Sequence, residues 1–547
     1  MNRRDLIRLT PALALALSES GLEAQQLTRD QVKQALQILG LEFKNEHLDL
    51  MLPGLGRALN SYAALRRLNI PLDTDPAFRF DPLFAGKQLP PPGRFEPSKP
   101  APAPAWKNIE DLAFAPVTQL AGLLRRKKIS STELTKMYLA RLKQHSPKLF
   151  CTASITESLA LEQAARADQE IRRGKYKGPL HGVPYGAKDL FAAKGYKTTW
   201  GAEPFKDQAF DYNATVIDKL EKAGAVLVAK LSIGALALGE IWFGGRTRNP
   251  WNPEQSSSGS SAGSASATAA GLVAFSLGTE TLGSIVSPST RCGVTGLRPT
   301  FGRVSRAGAM ALTWTMDKIG PICRTAEDCM LVLHAIQGED GKDLTVRNAP
   351  LAWNPAAPLK GLKVGVVQAE FDRWPERGKP IHQAALKQLG VDLHPVKLPD
   401  FPAQSLLIIL DAEAAAAFDD LTRDGGVEKL TMQRPSDWPN TFRTARTIPA
   451  VEYIRAMRAR TLLMREFDKV MTEFDVLVST NQGASLTITN LTGHPQIAVP
   501  CGLVNGNDPI SLVLTGRLYE EGTIARVAKA FQDSTDWRRR QPPLFLV

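Results

Sequence analysis

Residues 256–300 read SSSGSSAGSASATAAGLVAFSLGTETLGSIVSPSTRCGVTGLRPT, a segment crowded with hydroxyls yet carrying the apolar run 272–277 and the small-residue run 264–270. A flexible Ser/Gly linker has nothing to bury. This segment does: the apolar run predicts a buried strand and the small-residue run a helix packed close to its neighbours. Hydroxyls held inside a fold are candidate nucleophiles, provided a base takes their proton. The seven histidines, His47, His145, His181, His334, His382, His394 and His494, all lie outside the segment, and no GxSxG elbow accompanies one. A lysine stripped of water loses its preference for the charged form and can serve as the base near neutral pH. Lys188 follows the apolar-leaning stretch 182–187, and Lys230 follows a second one, 226–229. A lysine after a strand is ordinarily a solvated surface residue, so position alone singles out neither.

The segment resembles the amidase signature family, serine hydrolases of amide bonds. Ser260-Ser261-Ala262-Gly263-Ser264 stands for the family's SSGGS element and GTETLGSIVSP (278–288) for its GTDxGGSIRxP element, with Ser284 following Ser260 by 24 positions, the family spacing. Upstream, HGVPYGAKD (181–189) resembles the strand that presents the catalytic lysine. Downstream, CGVTGLRPT (292–300), GRVS (302–305) and MDKIGP (316–321) continue in family order, and the resemblance covers residues 106–547.

The resemblance implies an α/β fold, an α/β/α sandwich whose large mixed, twisted sheet is covered by helices. It makes Ser284 the nucleophile, Ser260 the proton relay after a cis Gly259-Ser260 peptide, and Lys188 the base, with Lys230 matching a structural lysine. The backbone N–H groups of Thr281, Leu282, Gly283 and Ser284 form the oxyanion hole, which requires no side-chain donor. Ser261, Ser264 and Thr279 surround these groups, with ordinary capping and turn roles as the plainer alternative. No cofactor and no metal are implied. Three positions depart from the pattern: Leu282 stands for a glycine, Glu280 for an aspartate and Val286 for an arginine.

The elements that must position these residues follow from periodicity. A helix is expected near 117–128, a capping-box start at Ser130-Ser131-Thr132-Glu133 opens a second, and strands and helices then alternate through 182–188, 215–223 and 225–229. That order implies a mixed, largely covered sheet. A helix at 325–336 and a strand at 362–368 follow. Residues about 370–470 lose the family blocks and are expected to shape the substrate entrance, together with Trp242, Phe243 and Trp314, whose rings could equally be core. Residues 475–478 and 490–500 return to the pattern.

Ahead of this domain, residues 25–75 predict a helical extension, with a second helix bent or broken at Pro53. Residues 76–105 form a proline-rich linker whose segment QLPPPGRFEPSKPAPAP is extended and unable to build a core. The helical unit and its strap resemble the small accessory subunit of tRNA-dependent amidotransferases. The start, MNRRDLI, resembles a twin-arginine export signal over residues 1–24 and implies a periplasmic or exported enzyme, with an ordinary basic N-terminus in the cytoplasm as the alternative.

The net charge of +12 comes without a run of basic and aromatic residues marking a nucleic-acid face. No stretch approaches the ~20 apolar residues of a membrane span. Five cysteines, an odd number without CxxC spacing, indicate neither a disulfide framework nor a zinc site. The expected partner is a small-molecule amide, and a homodimer is compatible. The functions in competition are an amidohydrolase acting on a small or medium carboxamide, aryl amide, carbamate or ester; a glutaminase-type subunit of an amidotransferase; and a non-catalytic binding scaffold.

Overall fold

The computed structural model describes residues 27–66, 80–83, 87–99 and 105–546. The twin-arginine-like start and residues 67–79 lie outside them. The chain divides into two compact units, Met1–Pro71 with Thr447–Pro449, and Leu72–Arg446 with Ala450–Val547.

In the first unit, helices α1 (Arg29–Ile38) and α2 (Asn45–Arg66) form a hairpin. Thr28 and Gln31 close a capping box on α1, and Val32 and Leu36 pack against Leu48, Met51, Leu52 and Leu55 of α2. The break expected at Pro53 does not occur, because α2 runs through it. Its apolar face is seated on α1 on both sides of the proline, and that packing offsets the one backbone hydrogen bond the ring removes.

In the second unit, eleven strands form one mixed sheet: β1 (Thr152–Ile155), β2 (Pro184–Lys188), β3 (Val226–Leu231), β4 (Phe275–Glu280), β5 (Thr295–Arg298), β6 (Lys318–Cys323), β7 (Val364–Val366), β8 (Leu393–Pro395), β9 (Val476–Ser479), β10 (Gln496–Val504) and β11 (Asp508–Gly516). Their spatial order is β1-β3-β2-β4-β6-β5-β10-β11-β9-β7-β8. β2 is parallel to both β3 and β4, while β4 pairs antiparallel with β6. Every residue of β2 and β3 is buried, which is why both lack the alternation of a half-exposed strand. Helices α3 (Val117–Arg125), α4 (Ser131–Leu149) and α5 (Glu157–Arg172) precede β2 or flank β1, and Leu139, Leu142, Ala160 and Ala164 pack on Val226 and Val228 of β3. The expected capping box on α4 is present, Ser130 and Glu133 exchanging hydrogen bonds.

Two features set the ground for the site. α6 (Thr215–Lys222) leads into β3, and α7 (Ala262–Ala269) is built wholly of Ala, Ser, Thr and Gly and is buried along its length. A Cβ on Gly263 would stand 2.3 Å from the Cys151 carbonyl oxygen and 2.4 Å from the Ser232 nitrogen, so only glycine permits this approach. The strand expected at 272–277 instead begins at Phe275 and extends to Glu280. Gly271, at φ +67°, turns the chain out of α7, and Leu272, Val273 and Ala274 are buried in that turn, so the apolar run spans turn and strand alike.

The proline-rich strap is extended where it is described. Its Phe95 forms a bridge with Trp353 and stacks on His334 at a ring separation of 4.0 Å, and the Ser98 N–H donates to Glu327 at 2.7 Å. A segment that cannot build a core of its own thus contributes to the larger one.

Candidate active site

β2 ends at Lys188, whose side chain is wholly buried. Its Nζ donates to Ser260 Oγ at 2.9 Å, Ser261 Oγ at 3.1 Å, Thr279 Oγ1 at 2.8 Å and the Thr279 carbonyl at 3.3 Å. All four partners are neutral. Burial therefore dominates, and it pulls the amine from the ordinary 10.5 down to about 7 against the weaker opposing fields of Asp317 and Glu280. Lys230, in β3, is different: its Nζ pairs with Asp189 at 2.8 Å and also donates to Thr198 Oγ1 at 2.8 Å. Burial lowers its pKa while Asp189 raises it, and that buried pair ties β3 to the loop after β2.

Ser260 follows a cis Gly259-Ser260 peptide, and a Cβ on Gly259 would lie 1.8 Å from the Gly239 carbonyl oxygen. Ser261 opens α7 and rests on Gly278 of β4, where a Cβ would meet its Oγ at 2.8 Å. Its Oγ also donates to the Thr279 carbonyl, and its N–H donates to the Ser284 carbonyl at 3.2 Å, which links the two serine segments. Ser284 itself is only half-buried, whereas Lys188 and Ser260 are enclosed. The three residues thus run from a dry interior to an accessible hydroxyl.

Between β4 and α8 (Val286–Cys292) the chain turns through Gly283 at φ +84°, a left-handed conformation in which a Cβ would also press on Ser287 and Leu486. Among the described residues no acceptor takes a hydrogen bond from the N–H groups of Thr281, Leu282, Gly283 or Ser284. Such a row of free donors can receive a developing oxyanion.

A second network, which residue spacing does not reveal, holds this turn. Glu280 Oε2 accepts from the N–H groups of Ile285 and Val286 at 2.8 and 2.9 Å, and its Oε1 accepts from Arg298 at 2.6 Å and from Asn490 Nδ2 at 2.9 Å. Burial alone would raise the Glu280 pKa, but Arg298, Lys318 and the Val286 N–H outweigh it and bring it to about 2. Lys318 donates to Asn490 Oδ1 at 2.8 Å and lies 3.5 Å from the Thr281 carbonyl, and its burial, with Arg298 nearby, pushes its pKa well down. Asp317 accepts from the Thr281 hydroxyl and from the N–H groups of Leu312 and Thr313. Val286 is buried with Ala498 and Val513. The one signal in the chain is an acidic residue at 280 within the hydroxyl-rich segment: once buried, its carboxylate has to find cations.

Ser264 and Trp242 make structural contacts. Ser264 donates to the Leu277 carbonyl at 2.9 Å and fastens α7 to β4, with no contact to Lys188. Trp242 is core, its Nε1 donating to the Phe150 carbonyl and its ring meeting Phe243 edge-on. Trp314, by contrast, lines a cavity with Thr279, Met310, Asp317 and Lys318. From the divergent segment, Leu430, Met432 and Trp438 face Leu238 and Gly239 across a cavity of about 340 Å³, and Trp438 Nε1 donates to the Leu236 carbonyl at 2.8 Å. The ion pairs Arg246–Glu240 and Arg434–Asp437 line the same cavity, and because the Gly239 carbonyl packs against Gly259, the cavity stands next to the segment that carries Ser260.

Comparison with known proteins places this geometry. The profile of the amidase family matches residues 133–485. The chain is similar to a glutamyl-tRNA(Gln) amidotransferase subunit from Carboxydothermus hydrogenoformans, 31% identical over 79% of this chain and 100% of that protein, and to its counterpart from Moorella thermoacetica, 33% identical over 79% and 99%. Among solved structures, the peptide amidase of Stenotrophomonas maltophilia superposes with a TM-score of 0.70 at 29% identity, covering 80% of this chain and 100% of the other.

Proposed function

The chain belongs to the amidase family of amide-hydrolysing enzymes, and from that premise we propose that it cleaves a small or medium carboxamide through an acyl-enzyme on Ser284. The supporting observation is the neutral, four-oxygen cage around the Lys188 amine. With its pKa near 7 the lysine is substantially uncharged at neutral pH and can accept a proton. Ser284 Oγ attacks the carbonyl carbon as Ser260 takes its proton and passes its own to Lys188. The oxyanion gathers on the N–H groups after Glu280. Ser260 then delivers a proton to the departing nitrogen, the C–N bond breaks, and the amine leaves. Water enters and attacks the acyl carbon as its proton passes through Ser260 to Lys188; the ester bond to Ser284 Oγ then breaks, the proton returns through Ser260 to that oxygen, and the carboxylate leaves.

The cavity beside the Ser260 segment offers a substrate both the apolar side chains of Leu238, Leu430, Met432 and Trp438 and the charged ones of Glu240, Arg246, Arg434 and Asp437. A fluorophosphonate probe tests the mechanism: it should label the wild-type protein on Ser284 and leave Ser284→Ala unlabelled. A panel of amides, carbamates and esters, with acid and amine release measured separately, defines the substrate.

Similarity to amidotransferase subunits supports a second reading, a glutaminase that passes ammonia to a partner. Co-purification with a large tRNA-binding protein, together with glutamine hydrolysis and no activity on apolar amides, would establish it instead. The Arg3-Arg4 start supports export of the folded enzyme, which fractionation of wild-type and Arg3→Lys/Arg4→Lys cells tests.

A further inference from the structure

Away from the catalytic residues, a cleft of about 450 Å³ is lined by Phe114, Trp251, Arg324, Arg538, Arg539 and Arg540. Its one acid, Asp111, already accepts from the N–H groups of Lys107 and Asn108. Arg324 is only 7% exposed, and among the described residues it forms no ion pair. Its guanidinium donates instead to four carbonyls, those of Phe114, Thr268, Ala113 and Val273. Arg538 and Arg540 each have one aspartate, Asp533 at 3.1 Å and Asp536 at 3.2 Å, yet the Arg538 Nε is buried without a partner. Arg539 has no ion pair among the described residues.

The cleft also has a defined place relative to the chemistry. α7 begins directly after Ser260 and Ser261, and its last turn, Thr268 and Ala269, forms part of the wall. α8 begins two residues after Ser284, and Gly293 and Val294 beyond its end form another part. At 1.5 Å per residue these helices set the cleft about 10–12 Å from the serines, which makes it a separate site. Helix C-termini carry partial negative charge, which accounts for Arg324 on the Thr268 carbonyl and for Trp251 Nε1 donating to the Cys292 carbonyl at 2.9 Å. It does not account for Arg539, which has no ion pair among the described residues, nor for the unpartnered Nε of Arg538.

We propose that this cleft binds a small planar organic carboxylate, the chemical class that amide hydrolysis releases. Guanidinium forks match a carboxylate's two oxygens, and the indole of Trp251 offers an apolar wall for an attached ring. The choice of carboxylate rests on the reaction proposed above; the cleft and its charge do not.

Calorimetric titration of full-length Ser284→Ala protein with benzoate tests the site without turnover. Saturable binding of benzoate, absent for the neutral isostere benzamide and weakened about tenfold or more in R538Q/R539Q protein with unchanged circular dichroism, is the expected result. No saturable binding, an equal response to benzamide, or undiminished binding in the arginine variant overturns it. Inorganic phosphate binding as tightly as benzoate would reduce the cleft to a plain anion site and overturn the organic part. Because these titrations need no catalysis, the proposal can fail while Ser284 labelling succeeds, and the reverse.

Discussion

The amine of Lys188 lies 2.9 Å from the Ser260 hydroxyl with only neutral oxygens around it, while 42 positions further on Lys230 is locked to Asp189. A base must be neutral to act, so the active fraction grows as pH rises through about 7. The kcat/KM profile should climb about tenfold per pH unit below that value and level off above it, and Lys188→Met should lose the limb together with most of the rate. A flat profile from weakly acidic to alkaline pH, with intact folding, would exclude a lysine base. The lowered pKa has a stability counterpart. Between about 7 and 10.5 the unfolded chain holds a proton that the folded one releases, so this group makes stability rise with pH across that window, and Lys188→Met should remove the slope from denaturant titrations.

Ser284→Ala should abolish turnover, a loss of about 10⁴-fold or more by analogy with other serine triads. Ser260→Ala should also be severe yet leave a nucleophile that a fluorophosphonate can still label slowly. Wild-type turnover by Ser284→Ala on the best substrate would rule out the acyl-enzyme.

Glu280→Gln should destabilise the fold by about 3–5 kcal/mol, since it leaves the buried Arg298 and Lys318 without their carboxylate. The wild-type contribution is fully present above the ordinary value of 4.5 and is lost as pH falls through about 2, so urea midpoints should separate wild type from variant at neutral pH and converge in acid. Equal midpoints at pH 7 would mean that the network adds nothing to stability.

Leu282 is half-buried two residues before Ser284, the proposed nucleophile, and among the described residues its N–H meets no acceptor. Its side chain narrows the space near the bound carbonyl, so Leu282→Gly should reorder a series of acyl esters by acyl size more than it changes the rate on the smallest one. A uniform rate loss across the series would instead assign Leu282 to holding the turn in place.

Much of this was legible in the chain because the informative signals are local. The small residues of α7, the capping box before α4 and the apolar run 226–229 of β3 each follow from neighbouring residue types, whereas the spacing of Ser260 and Ser284 is legible only through the family resemblance. Local patterns do not say what stands opposite a side chain once strands pair. Lys188 and Lys230 both lie in buried strands after apolar runs, and only the pairing of β2 with β3 and β4 puts one among hydroxyls and the other on Asp189. The same reason hid Arg298, Lys318 and Asn490, which meet Glu280 from separations of 18, 38 and 210 residues. It also concealed that Ser264, one turn along α7 from Ser261, would fasten to the Leu277 carbonyl of β4, and that α2 would run unbroken through Pro53, where packing across the hairpin outweighs one backbone bond. The sequence by itself determined which groups are available for chemistry and which segments must be buried. Which lysine is surrounded by neutral hydroxyls, and which cations meet the buried Glu280, was decided by tertiary structure, because charge and desolvation depend on every element packed around a group and not on its neighbours in the chain.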